Sequence, residues 1–323
     1  MEEESLESIS YEQLSSPIYI GWQLTNRCNL ECIHCLWESG PNATYPDELS
    51  VDEVLKFGKE LVDHQVLYVT LSGGEPLLHP AFWKLADLLS SGGVDVKIET
   101  NGQLISKSVA KRIADLNPRS VQISIDGASQ ETYSRMRPNA SLSKALDALR
   151  YLNEYGVRTE VLYVPSKFSL SEVEKLIDMV AGLGVRAFYS GKVYYMGRAV
   201  KYWNLLGLNE KEYEYLKNII DEKAKQYEGK MRLYFHPRDI VEELQIKFKH
   251  PTGNPIITAN GKVKLINSVP YVVADIRKHS FEEMWERYKK GWKHPKVAEY
   301  VKEVSLNPRA ISKAELQIEL PDL

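Results

Sequence analysis

The cysteines of this chain are confined to one short segment. All three of them, Cys28, Cys32 and Cys35, fall within the run CNLECIHC, although the sequence is 323 residues long. Thiolate side chains ligate zinc and iron–sulfur clusters, and a free thiolate is a strong nucleophile. A segment that holds every thiol of so long a chain therefore predicts a metal centre or a reactive centre.

The spacing C-x3-C-x2-C fits some of these chemistries better than others. A structural zinc site needs four ligands, and His34 is poorly placed to be the fourth because it directly precedes Cys35. Nucleophilic catalysis does not require three thiols, and three structural cysteines are improbable in so short a segment. The remaining interpretation is an iron–sulfur cluster, which usually takes four cysteines; three leave one iron open to a small ligand.

The composition limits the partners of the chain. Its 41 basic and 44 acidic residues give a net charge of −3, which argues against a surface for nucleic acids. No apolar run reaches the roughly 18 residues that span a bilayer, and the acidic first residues lack the pattern of a secretory signal. Three crowded cysteines make no disulfide framework. We therefore expect a cytoplasmic protein with reduced thiols and no membrane insertion.

Short β-like runs alternate with helical patterns up to about residue 190. The predicted strands cover 18–25, 66–72, 94–101, 120–126, 157–164 and 185–190. The predicted helices cover 50–64, 80–90, 106–116, 141–155 and 169–182. Such alternation indicates βαβ units and a parallel sheet, which is either a partial barrel or an open doubly wound sheet.

Two of these helices carry a start signal. Ser50 is followed three residues later by Glu53, which predicts a capping box, and Ser171 precedes Glu174 in the same way. Beyond residue 190 the pattern predicts a charged helix over 209–227, a strand over 231–235, short β runs within 250–280, and a helix over 280–303 that breaks near Gly291 and Pro295.

Polar and glycine-bearing loops follow the first four predicted strands. CNLECIHC follows the first strand, GGEP the second, Asn-Gly the third and Asp-Gly the fourth. In parallel α/β folds the chemistry lies beyond the carboxyl ends of the strands. The four loops are therefore expected to converge on one rim and to form a site there.

The cysteine loop after the first strand, together with GGEP after the second, closely resembles the radical SAM superfamily. The resemblance implies a partial (β/α)6 barrel of the TIM type. It also implies a [4Fe-4S] cluster on Cys28, Cys32 and Cys35 whose open iron binds S-adenosylmethionine (SAM). The reduced cluster then cleaves SAM, and the resulting radical abstracts a substrate hydrogen. A low-potential electron donor of the ferredoxin or flavodoxin type is implied as a partner.

The same resemblance implies SAM contacts along the strand ends. The GGEP turn lies at the amino end of SAM, the third strand end near its ribose, and His34 near its adenine. Arg137 meets the SAM carboxylate, with Arg135 as a close rival. The full set is Gly73, Gly74, Glu75, Pro76, Glu99, Thr100, Asn101, Ser124, Asp126, Arg137 and His34.

The C-terminal part resembles the SPASM or twitch extension of radical SAM maturases. TANGKVKLI (258–266) and ADIRKHSFEEMW (274–285) carry this resemblance, and GRA (197–199) resembles the motif that links barrel and extension. That extension commonly has a cysteine near the position of Ile266 and others later, and this sequence has none there. The predicted division is an acidic arm over 1–16, a radical SAM core over 17–200, and a small α/β extension over 201–323 without cysteine ligands.

These features predict a radical SAM enzyme with a single cluster that modifies a peptide or protein. The alternative is a radical SAM enzyme for a small molecule, such as a sugar, nucleotide, lipid or cofactor precursor, and the missing auxiliary cysteines favour it. A non-catalytic metal-binding protein is a third hypothesis, which the intact GGEP turn argues against. Residues 191–203 are expected to set substrate specificity, and Tyr194 and Tyr195 are phenolic candidates for ending the radical; no catalytic residue is assigned.

Overall fold

The structure is a computed structural model that describes residues 11–323. Residues 1–10, the larger part of the predicted acidic arm, lie outside the described residues. The segment that follows packs against the C-terminal helices: Trp285 Nε1 donates a hydrogen bond to the Leu14 carbonyl at 2.8 Å, and Glu12 pairs with Lys293 at 2.9 Å.

Eleven strands form one sheet in the described part of the chain. In chain order they are β1 (Tyr19–Gln23), β2 (Tyr68–Ser72), β3 (Asp95–Thr100), β4 (Ser120–Ser124), β5 (Thr159–Tyr163), β6 (Ala187–Gly191), β7 (Arg232–His236), β8 (Ile256–Ile257), β9 (Lys262–Lys264), β10 (Tyr271–Asp275) and β11 (Ile318–Glu319). Across the sheet the order is β11-β10-β9-β8-β1-β2-β3-β4-β5-β6-β7.

Parallel pairing runs without interruption from β1 to β7. The sheet does not close, because β7 and β11 form its two edges. The predicted α/β fold on a partial barrel is therefore confirmed, and the strand predicted over 231–235 extends the six-stranded unit as β7. On the other side β8 pairs with β1, so the strands of the C-terminal part continue the same sheet.

The helices of the described residues lie between and after these strands. They are α1 (Val51–Asp63), α2 (Phe82–Ser91), α3 (Lys107–Asp115), α4 (Gln130–Met136), α5 (Leu142–Glu154), α6 (Val173–Gly182), α7 (Trp203–Leu206), α8 (Glu210–Gln226), α9 (Ile240–Lys249), α10 (Phe281–Gly291) and α11 (Pro295–Leu306). Turns of 3-10 helix cover Tyr11–Gln13, Pro76–Leu78, Leu170–Glu172, Gly197–Val200 and Pro308–Glu315. None of the described helices is long and apolar enough to cross a membrane.

One of the two predicted helix starts is confirmed and the other is wrong. Ser50 and Glu53 form the capping box of α1. Ser171 instead lies in a 3-10 turn, and α6 begins at Val173 without a side-chain cap. The reason is a tertiary contact, since the Glu172 carboxylate that precedes α6 accepts hydrogen bonds from the Ala128 and Ser129 amides at 2.7 and 3.1 Å.

One helix was missed by the sequence analysis, and one predicted helix break is confirmed. Helix α4 was not predicted, because seven residues are too few to display a helical period. The break expected near Gly291 and Pro295 separates α10 from α11.

A small apolar cluster positions the cysteine loop, apart from the main core of the sheet. Ile33, which directly follows Cys32, is 6% exposed and packs with Met136, Val193, Ala199 and Leu206. These partners come from α4 and from the segment after β6. The loop is therefore held by elements from distant parts of the chain.

Candidate active site

The three cysteines line one cavity of about 560 Å³. Cys28 and Cys32 are only 6% and 8% exposed, and Cys35 is half-buried. The loop that carries them has no regular secondary structure and is held by backbone hydrogen bonds: the Cys28 amide donates to the Gly40 carbonyl and the Ile33 amide to the Met136 carbonyl, both at 3.0 Å. The structure thus brings the three predicted ligands to one place.

The thiols of this loop are suited to binding a metal cluster. Burial raises the pKa of Cys28 to about 12 and that of Cys32 to about 11, so both are neutral until a metal displaces the proton. Among residues 11–323, no three His, Cys, Asp or Glu side chains are arranged to hold one metal ion. Cluster thiolates bind to different iron atoms and need not meet at a single point. The donor set therefore fits an iron–sulfur cluster.

The GGEP turn packs directly on the backbone that leads into the cysteine loop. The Gly74 amide donates to the Thr25 carbonyl at 2.7 Å, and the Glu75 amide donates to the Arg27 carbonyl at 2.9 Å. A Cβ on Gly74 would lie 2.6 Å from the Arg27 carbonyl carbon, and Gly73 has φ +143°. Only glycine permits so close an approach of two backbones. The turn and the loop therefore form one unit, and Gly73 and Gly74 line the cavity.

Glu75 joins this turn to the end of β3. Its buried carboxylate accepts hydrogen bonds from Thr100 Oγ1 at 2.9 Å, from the Asn101 amide at 3.0 Å and from the Leu77 amide at 3.3 Å. Burial raises the pKa of Glu75 to about 7. Neither Glu75 nor Pro76 lines the cavity, so Glu75 acts by positioning the strand ends.

The end of β3 faces the cysteines as the sequence predicted. Glu99, Thr100 and Asn101 all line the cavity. Asn101 Nδ2 donates to Asn29 Oδ1 at 2.8 Å and lies 3.7 Å from Cys28 Sγ. The amide thus links the third strand end to the first cysteine.

Arg137 is the buried cation of the site. Its Nε lies 2.6 Å from Asp126 Oδ2, its Nη1 lies 3.4 Å from Cys32 Sγ, and its Nη2 lies 3.2 Å from His34 Nε2. Burial lowers the pKa of His34 to about 4, so the imidazole is neutral. Arg137 and His34 line the cavity together with Ser124, whereas Asp126 does not line it and orients Arg137. The rival Arg135 points elsewhere and stacks on Phe168 at 4.0 Å.

The GRA motif clamps the cysteine loop from its other side. Arg198 donates through Nη1 to the Cys32 carbonyl at 2.7 Å, through Nη2 to the Ser39 carbonyl at 2.8 Å, and through its amide to the Cys35 carbonyl at 3.0 Å. Glu315 Oε1 accepts from the Gly197 amide at 2.5 Å. The C-terminal segment therefore contacts the loop through this motif.

Several cavity residues were not predicted from the sequence. They come from β4, β5, β6 and β7 and include Gln122, Tyr163, Tyr189, Ser190, Tyr234 and His236. Their positions in strands of the parallel sheet could have indicated them. Tyr234 and His236 could not be found in this way, because β7 had not been assigned to that sheet. Of the segment expected to set specificity, Gly191, Lys192, Val193, Tyr194 and Met196 line the cavity, whereas Tyr195 lines a neighbouring cavity of about 250 Å³.

A known protein family matches the part of the chain that carries this arrangement. The family model of the radical SAM superfamily matches residues 22–180, which contain the cysteine loop, the GGEP turn and Arg137. Residues 22–180 therefore form a radical SAM domain. An iron–sulfur cluster and SAM are accordingly its cofactors.

Two curated relatives of this chain differ in their named products. The mycofactocin maturase MftC of Mycobacterium tuberculosis (strain CDC 1551 / Oshkosh) is 36% identical over 172 residues, which are 53% of this chain and 44% of the relative. The AdoMet-dependent heme synthase of Methanosarcina barkeri is 26% identical over 84% of this chain and 83% of the relative. This chain thus spans less than half the length of the maturase.

Among solved radical SAM structures, SuiB of Streptococcus suis has the same fold. Its structure bound to S-adenosylmethionine matches with a TM-score of 0.72 at 15% identity, over 94% of this chain and 77% of SuiB. SuiB bound to the precursor peptide SuiA matches with a TM-score of 0.71. The structural likeness therefore includes most of the C-terminal part.

Proposed function

We propose that this chain is a radical SAM enzyme that cleaves SAM reductively at a single [4Fe-4S] cluster and abstracts a hydrogen from a peptide or protein. The observation that carries the proposal is the meeting of three cysteines, the GGEP turn, the β3 end and Arg137 in one cavity. When bound, the cluster and SAM supply the electron and the carbon radical.

The residues of the chain hold and orient these groups. Cys28, Cys32 and Cys35 are the proposed cluster ligands. Arg137 is held on one side by Asp126 and presents the rest of its guanidinium to the cavity beside Cys32, a suitable place for the SAM carboxylate. The two glycines of the turn let SAM approach the backbone, and the burial of the cysteines keeps water from the reacting groups.

Similar proteins favour a peptide substrate for this site. The cavity of about 560 Å³ has a usual volume for one ligand of the size of SAM. The solved SuiB complex with a precursor peptide and the name of the maturase relative support this choice. The alternative is a small-molecule substrate, and the similarity to a heme synthase over most of both chains favours it.

Three further predictions belong to this proposal. The first is an electron donor of the ferredoxin or flavodoxin type. The second is a cytoplasmic location, which reduced thiols favour. The third is the division into a core over 17–200 and an extension over 201–323. The contact of Glu315 with the Gly197 amide, next to Arg198 of the core, supports a role of that extension in holding the cysteine loop.

The test is anaerobic reconstitution with iron and sulfide, followed by SAM and a reductant. We expect 5′-deoxyadenosine as a product. An intact cluster without this product would overturn the enzyme hypothesis, and a protein that binds zinc but never iron and sulfide would overturn the cluster. A peptide encoded beside this gene and a tetrapyrrole, offered separately, distinguish the two substrate classes by the mass change of the product.

Replacing Arg137 with lysine is expected to weaken SAM binding by about tenfold or more, because lysine keeps the charge but loses the planar fork that binds a carboxylate. Arg135→Lys is the matched control, since Arg135 stacks on Phe168 outside the cavity, and its effect should stay within about twofold. Calorimetry with SAM on the reconstituted protein measures both. Equal losses in the two variants would contradict the assignment of Arg137.

A further inference from the structure

A second and larger cavity lies at the opposite ends of the strands from the cysteine loop. It has a volume of about 860 Å³ and is formed mainly by the turns that lead into β5, β6 and β7. We call it the basic cleft, and its main lining segments are 156–158, 184–186 and 228–233. The two cavities share no lining residue, although strand β7 contributes different residues to each of them.

The three turns repeat one pattern that gathers positive charge. Each has a glycine after a helix and an arginine at or next to the first residue of the following strand, in the sequences GVR (156–158), GVR (184–186) and GKMR (229–232). The Arg232 amide donates a hydrogen bond to the Arg186 carbonyl at 2.9 Å, and Arg158 lines the same cleft from the next strand. Lys230 adds a fourth cation, and Glu228 is the single carboxylate in the lining.

Three of these four cations have no ionic or hydrogen-bonding partner for their side chains in the described part of the chain. Across residues 11–323, Arg186, Lys230 and Arg232 form no ion pair and no side-chain hydrogen bond. Arg158 has one distant partner, Glu160 at 3.7 Å, and Glu160 also pairs with Lys97 at 3.1 Å. Like charges held together in a concave surface repel one another unless an anion lies between them.

Stabilisation of the preceding helix ends does not account for this arrangement. Cations near a helix C-terminus are favoured, mostly where they hydrogen-bond the last carbonyls. Here backbone amides already bond such carbonyls: Val157 to Leu152 at 3.0 Å, Val185 to Val180 at 3.3 Å and Met231 to Tyr227 at 3.0 Å. The arginine side chains are therefore not required for these carbonyls and line the cleft.

The lining also indicates the class of anion. The cleft contains no aromatic side chain on which a base stacks, and the Val157, Val185 and Met231 amides of the turns, which could otherwise cradle a phosphate, donate to helix carbonyls. What is left is a row of separate side-chain cations. Such a row suits carboxylates spaced along a flexible chain.

We propose that the basic cleft binds an acidic segment of the peptide substrate, an inference that rests on the proposed function. Strand β7 connects the two sites, because Arg232 and Leu233 line the basic cleft while Tyr234 and His236 line the cavity of the cysteines. Its five residues span about 17 Å. The acidic segment is therefore separated by about five or more extended residues from the residue that is modified.

The test uses a fluorescein-labelled hexaglutamate peptide and the full reconstituted chain at low ionic strength, with binding followed by fluorescence anisotropy. The variant R186Q/R232Q removes two cleft cations. Its matched control, R119Q/R150Q, removes the same charge from exposed arginines that pair with Asp95 and Asp147 outside both cavities. We expect at least about tenfold weaker binding for the cleft variant and a change within about twofold for the control.

Each other outcome overturns the proposal. Equal losses in both variants mean non-specific attraction, and no binding by the unaltered chain means no site. Displacement of the probe by inorganic triphosphate or ATP at lower concentration than by unlabelled hexaglutamate means a site for phosphate compounds. Thermal unfolding of both variants controls for the fold. The binding measurement needs no turnover. A failure to form 5′-deoxyadenosine therefore overturns the proposed function, while the binding of hexaglutamate can still be interpreted.

Discussion

We expect Cys32→Ala to leave the protein without a stable iron–sulfur cluster and to abolish SAM cleavage. Cys32 is 8% exposed and its Sγ lies 3.4 Å from Arg137 Nη1, at the centre of the site. The chain has three cysteines and no spare thiol, so no other residue replaces the lost ligand. Iron and sulfide per chain after anaerobic reconstitution, together with 5′-deoxyadenosine formation, measure the effect.

The neighbouring variant Ile33→Val is the control for the cysteine loop. Ile33 is buried in the apolar cluster under the loop, and removal of one methylene group should cost about 0.5–1.5 kcal/mol of stability. It should leave iron and sulfide at the level of the unaltered protein. If Cys32→Ala retained both the cluster and activity, the ligand assignment would be wrong.

Gly74→Ala is expected to lower the free energy of unfolding by about 3 kcal/mol or more. A Cβ at this position would lie 2.6 Å from the Arg27 carbonyl carbon and 2.8 Å from the Asn26 carbonyl oxygen. Both neighbours are backbone atoms and cannot rotate away, so the turn and the cysteine loop must separate. The hydrogen bonds from the Gly74 and Glu75 amides then weaken. Chemical denaturation of the apoprotein measures the loss.

The matched control is Gly182→Ala, at the last residue of α6. No atom lies within 4 Å of a Cβ built there, and alanine restricts the unfolded chain more than glycine does. The stability should change by less than about 1 kcal/mol, in the stabilising direction. An unfolding midpoint of Gly74→Ala equal to that of the unaltered protein would show that the turn does not depend on glycine.

The sequence by itself determined the class of fold and the place of the site. The alternation of β-like and helical runs predicted β1 to β6, because that signal depends on residues that are close along the chain. The three cysteines and GGEP predicted the chemistry, since both motifs are short and directly follow strands. The convergence of the strand ends on one cavity followed from the geometry of parallel sheets alone.

Tertiary structure alone decided which side chains face the cavity. Arg135 and Arg137 are two residues apart, and only the exit of the chain from α4 at Arg137 turns that guanidinium toward Cys32. Glu75 and Asp126 were predicted as SAM contacts, yet their carboxylates are occupied by Thr100 and Arg137.

Tertiary structure also decided the position of β7. Its pairing with β6 brings Tyr234 and His236 to the cavity of the cysteines and Arg232 to the basic cleft. The sequence predicted strand β7 but not its pairing with β6, because strand pairing depends on contacts between distant residues. Local patterns record period and spacing, whereas the direction of a side chain depends on helix ends, strand register and packing across the fold.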